Sequence, residues 1–212
     1  MKADNGSESG RWPPRRCEMP DLSNLSGKLT IDYFLNYAFG NTGLQMSGPG
    51  QAQFLNFIRL VDKTLLEYEP ARFDLQNYVN SDNRTSLFMR CVDHMENCVD
   101  SLHRSFLHLD GLRTSIYRER QRTNEPLPDI HRDELPKSSN RKRIDNIRDA
   151  IQHMDDRISK GRAGADIAPI GLNVKSDSVE LDHEEIYYAE LALWIQQIYR
   201  VAEQLTNYTS SA

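Results

Sequence analysis

Apolar residues recur along most of this chain in the alternating three- and four-residue steps of an α-helix, and their phase divides it into four long elements. Phe54, Leu55, Ile58, Val61 and Leu65 predict a first helix over residues 51–68, ending before Pro70. From about residue 83 to 122, Phe88, Cys91, Met95, Cys98, Leu102, Phe106, Leu109, Leu112 and Ile116 hold one phase, with Gly111 as a place to bend. A third seam, Ile144, Ile147, Ile151, Met154 and Ile158, predicts a helix over 141–158. From about residue 183 to 208 two seams run side by side, one through Tyr187, Leu191, Trp194, Ile198, Val201 and Leu205, the other through Tyr188, Ala192, Ile195, Tyr199 and Ala202. A helix apolar on two sides suits burial against its own bundle and against a second subunit. Residues 29–39 form a short apolar element, and β-like runs on either side of residues 175–178 predict a short hairpin or an ordered loop before the last helix. The expected fold is all-α, a four-helix up-and-down bundle.

Glycine and proline set the boundaries. Residues 1–27 carry Gly6, Gly10, Pro13, Pro14 and Pro20 with few large aliphatics, the composition of a flexible N-terminal arm that folding can do without. Residues 28–212 then make a single helical domain. Residues 123–140 hold three prolines and end in Ser138, Ser139 and Asn140, residue types that cap a helix N-terminus.

Composition narrows the class. A chain of 212 residues, 38% hydrophobic and 27% charged, is long enough to build its own core without covalent staples. It contains no run of 18 apolar residues and opens with no charged-then-apolar leader, so the expected setting is cytoplasmic, with no membrane partner. The three cysteines agree: Cys91 and Cys98 share one helical stripe too far apart to bridge, and Cys17 lies in the arm. A net charge of −5 argues against a general nucleic-acid coat but leaves room for a local basic groove. Lys137, Arg141, Lys142 and Arg143 are the RNA-binding candidates for such a groove, with Arg113, Arg118, Arg120 and Arg122 on the far side of the loop.

Chemistry concentrates in the third helix. Arg148 and His153 stand five residues apart with Asp149 between them. In a continuous helix, at about 100° per residue, His153 faces away from the apolar seam and shares a side with Asp149 and Asp156, while Arg148 lies roughly 140° around from it. One copy of the helix does not aim both groups at one small target; two copies meeting across a twofold axis do. The rival chemistry is a metal site built from Asp149, His153 and Asp156, or from the pairs Asp100-x-x-His103 and Glu180-x-x-His183. Asp100 is turned about 140° from Met95 on the seam, toward water, and Glu180 precedes the last helix, so no metal is expected. The sequence has no Gly-rich phosphate loop, Ser-His-Asp order or Cys-x-x-C pair, and no cofactor is expected.

The Arg-x4-His spacing of Arg148 and His153, with polar Asp149 after the arginine and a last apolar helix to follow, resembles the HEPN superfamily of helical domains. The resemblance covers residues 51–209 in architecture and residues 148–153 in motif. It implies metal-independent RNA cleavage by a homodimer with both motifs at the interface. His153 would then serve as general base or acid, Arg148 would hold the scissile phosphate, and Asp149 would orient the ring. Members of the family include toxins and phage-defence effectors, some paired with an antitoxin or regulatory protein. Others are non-catalytic helical modules that bind RNA or protein and dimerise. Asp155 stands where some members carry a tyrosine that accepts a nucleotide.

Overall fold

The computed structural model describes residues 13–39, 43–81, 84–124, 126–131, 135–159, 171–181 and 184–209. Its elements are α1 (Leu29–Ala38), α2 (Pro49–Asn80), α3 (Thr85–Thr123), α4 (Ser138–Gln152), α5 (Met154–Ser159), β1 (Asn173–Val174), β2 (Ser178–Leu181), β3 (Glu184–Tyr187) and α6 (Tyr188–Thr206). Helix dominates, as the periodicity requires. The hairpin expected before the last helix is an antiparallel sheet in the order β1-β2-β3, with Val174 opposite Val179 and Val179 opposite Ile186. All three valine and isoleucine side chains are buried, pinning the sheet to the helices.

α2 and α3 make a long antiparallel hairpin that forms the spine of the core. Phe54, Phe57, Ile58, Val61, Tyr68 and Leu75 of α2 face Cys91, Met95, Cys98, Leu102, Leu109 and Leu112 of α3, all shielded from solvent. Each such side chain contributes roughly 1.5–3 kcal/mol on burial. α3, 39 residues and about 58 Å long, closes on Asn124 in the left-handed conformation, φ 58°. α2 runs through Pro70 instead of ending before it. The ring removes the bond to the carbonyl of Leu66, a residue 64% exposed, so the interruption falls on the solvent side of α2. Tyr68, Ala71, Leu75 and Tyr78 continue the apolar stripe past the proline, and their burial outweighs the lost bond.

α1 begins without a capping side chain of its own. Buried Asp62 on α2 supplies it: its carboxylate accepts the N–H of Leu29 at 2.9 Å, the N–H of Thr30 at 2.8 Å and the Thr30 hydroxyl at 2.7 Å. Asp62→Ala is therefore expected to cost about 2 kcal/mol or more in urea denaturation, because three donors lose a charged acceptor together. A change under about 0.5 kcal/mol would show that water replaces the carboxylate.

Residues 13–27 are not a free arm. Leu22 is fully buried and Met19 nearly so. The Tyr68 hydroxyl donates to the Pro20 carbonyl at 3.1 Å, Arg72 Nε donates to the Met19 carbonyl at 3.2 Å, and the Leu22 N–H donates to Glu69 at 2.8 Å. Further along, the Ser26 and Tyr199 hydroxyls lie 2.8 Å apart, and the Glu18 N–H reaches the Ser176 carbonyl. Few aliphatics suffice because those present are placed in the core and the backbone is tied down between them. The remainder of the expected arm, residues 1–12, lies outside the described residues.

This strap also bears on the double seam of α6. Every seam residue except Tyr187 is buried within the chain. α6 packs on α1, α2 and β3, with Ser26 of the strap on Tyr199 and the Lys175 carbonyl on the Tyr188 hydroxyl at 3.1 Å. The second apolar side thus meets the chain's own strap and sheet, and leaves no wide apolar face for a partner. No helix among the described residues is long and apolar enough to cross a membrane.

Candidate functional site

α4 runs antiparallel to α3 and is held to it by polar contacts at successive turns. Arg141 bonds Asp110, with one nitrogen at 3.2 Å, and its guanidinium lies 4.9 Å from the centre of the Phe106 ring. One turn on, Asp145 pairs with His103 Nδ1 at 2.8 Å. Arg148 follows, its Nε 3.6 Å from Asp100. Between these rungs Ile144 and Ile147 are completely buried. On its other flank Arg143 grips both Glu190 oxygens at 3.1 Å and the Glu185 carbonyl, with its guanidinium 5.7 Å from the Trp194 ring centre. Asn146 adds a bond to Glu184 at 2.6 Å. Arg141 and Arg143, expected to line an RNA groove, thus dock α4 onto α3 and α6 through carboxylates, while Lys137 and Lys142 are exposed.

The helix expected to continue to residue 158 breaks at His153, which has φ −104° and ψ 19°. Its N–H still closes on the Asp149 carbonyl at 3.1 Å, and α5 restarts at Met154. The angles expected for a single helix therefore do not carry past Gln152. Ile151 and Met154 are only half-buried, and the side chains of Asp155, Arg157 and Ile158 lie outside the described residues.

The predicted trio sits at this end of α4. Arg148 is largely covered and spans two carboxylates, Asp100 on α3 and exposed Asp149 at 3.1 Å. Its Nε is buried without a hydrogen bond, because the gap to Asp100 is an ion-pair distance. Asp149 therefore serves Arg148 and not the imidazole. His153 is exposed, and its ring has no hydrogen-bond or ion-pair partner among the described residues. One turn from Asp100 on α3, burial pushes the Glu96 carboxyl above its ordinary range, and the Leu172 N–H, 3.2 Å away, pulls it partly back. The same end of the fold thus carries an exposed imidazole, a guanidinium with one exposed counter-ion, and a carboxyl that resists ionisation.

No family model, curated protein or solved structure matches this chain.

Asp100 is the residue that sequence reasoning placed elsewhere. Its phase turned it toward water, and at 30% side-chain exposure it does sit at the edge, but that edge is where Arg148 arrives. His103 was weighed only as part of a metal pair; it is a nearly buried partner of Asp145. The described residues contain no group of three or more His, Cys, Asp or Glu side chains placed to hold a metal ion. His183, from the other pair considered, lies outside the described residues.

Proposed function

We propose that this chain is an HEPN-type endoribonuclease that cleaves RNA without a metal ion, at a site shared by two copies, as a cytoplasmic toxin or phage-defence effector. The observation that carries this reading is the exposure of His153. An imidazole with no pairing role among the described residues is free to reach a substrate, and its two ring nitrogens let it accept a proton or donate one. In the proposed reaction one His153 takes the proton of a ribose 2′-hydroxyl as its oxygen attacks the adjacent phosphorus. The 5′-oxygen of the next nucleotide leaves with a proton from the second copy's His153. The products are a 2′,3′-cyclic phosphate and a 5′-hydroxyl. Arg148 stabilises the charge that develops on the phosphoryl oxygens, and Asp149, being exposed, is the counter-ion a phosphate displaces.

Arg148 favours a second reading. With Asp100 and Asp149 both on its guanidinium, its charge is already answered within the subunit, as in a non-catalytic helical module that binds RNA or a protein partner, such as an antitoxin. Incubating the purified protein with total RNA in EDTA, beside His153→Ala, decides between them. Cleavage that ends in cyclic phosphates and vanishes in the variant supports the nuclease; intact RNA in both supports the module.

A further inference from the structure

A cleft of about 890 Å³ opens where the C-terminal half of α3 faces the entry to α4, at the far end of α4 from His153. Arg113 and Tyr117 form its α3 wall, and Pro136, Lys137, Ser138 and Ser139 form the other. Its charge is one-sided. Asp110, the carboxylate on this wall, is bound by Arg141, whereas Arg113 and Lys137 have no anionic partner among the described residues. α4 adds to the imbalance. Ser138 and Ser139, expected to cap it, lie inside its first turn; Lys137 is the flanking residue, no side chain caps the free amides, and that turn holds no acidic residue. Tyr117, one turn beyond Arg113 on the same face of α3, is 64% exposed. Two cations with no anionic partner among the described residues, beside two serine hydroxyls, suit a phosphate, and the exposed aromatic ring next to them suits a base.

We propose that this cleft anchors single-stranded RNA, with one backbone phosphate held between Arg113, Lys137 and the start of α4, and its base stacked on Tyr117. The anchor lies about 21 Å along α4 from His153, so a strand of several nucleotides reaches both. The strand's fate rests on the ribonuclease reading, and its binding does not.

The test is fluorescence anisotropy of the full-length protein with a labelled 2′-O-methyl oligonucleotide of about ten residues, which lacks the attacking hydroxyl and is not cut. Arg113→Ala and Lys137→Ala should each weaken binding, and each should lower the slope of log affinity against log salt by about 0.7. Tyr117→Ala should weaken it on the order of tenfold, with Tyr117→Phe close to the parent. Unchanged affinity in the Arg113→Ala/Lys137→Ala double variant overturns the anchor. So does displacement of the oligonucleotide by inorganic phosphate at equal concentration, which marks a small-anion site. If total RNA is not cleaved while the binding pattern holds, the ribonuclease reading fails and the anchor stands.

Discussion

In EDTA, His153→Ala should leave RNA intact under conditions where the parent protein degrades it, a loss on the order of 10²–10⁴-fold, the contribution of a positioned general acid or base. Stability should hardly move, by less than about 0.5 kcal/mol, because the ring is exposed and bonds none of the described residues. That combination separates chemistry from folding. Arg148→Ala should give a comparable loss of cleavage at a cost of about 0.5–1 kcal/mol, since it strips a counter-ion from partly exposed Asp100. The double variant should be no worse than either single one, as groups acting as a unit are not additive. Mixed dimers with Arg148→Ala in one subunit and His153→Ala in the other keep one His153 and one Arg148, so they should cleave more than the His153→Ala dimer, which keeps no imidazole, and less than the parent, which has both base and acid. Cleavage that needs a divalent ion, or that survives His153→Ala unchanged, would replace the nuclease with the binding module.

The second large effect concerns the strap. Leu22→Ala should destabilise the protein by about 2–5 kcal/mol in urea denaturation followed by circular dichroism, the usual cost of emptying a fully buried leucine site. The hydroxyl bonds of Tyr68 to Pro20 and of Ser26 with Tyr199 hold the backbone at either side, so the gap does not collapse easily. A change below about 1 kcal/mol would mean that the strap lies on the core without belonging to it. The result also bears on assembly. With the strap in place the second seam of α6 is covered, so a dimer has to form through another surface, and the end of α4 carrying His153 is the one the nuclease requires.

Glycine and proline misled wherever a local rule met a stronger packing term. Proline breaks helices in isolation, yet the stripe from Tyr68 to Tyr78 is buried in the core and the residue that loses its bond to Pro70, Leu66, lies on the exposed side of α2. Pro13, Pro14 and Pro20 looked like linker, yet Met19 and Leu22 beside them had a groove to fill. In the third helix the difference runs the other way: an apolar seam that continues through Met154 predicts one helix, and the structure divides it at His153. The pairing of α3 with α4 did leave a trace. Asp100, His103 and Asp110 find Arg148, Asp145 and Arg141 in a nearly constant antiparallel register, a pattern visible once the two helices are written head to tail.

By itself the sequence determined that the chain is mostly helical, where α3 and the body of α6 run, that β-like runs precede α6, and which segment carries an arginine and a histidine at motif spacing, while residues 184–187, read as the start of the last helix, form β3 instead. Those properties follow from side-chain period and turn chemistry, which act over a few residues and leave a direct mark on the order of amino acids. Only the tertiary structure decided that Asp100 and Asp149 share Arg148, that His153 sits exposed at a helix break, that Arg141 and Arg143 are docking cations while Arg113 and Lys137 have no anionic partner among the described residues, and that residues 13–27 belong to the core. Each of those depends on which groups from distant segments come within a few ångströms of one another, and a charge or a leucine carries no local sign of the partner that folding will bring to it.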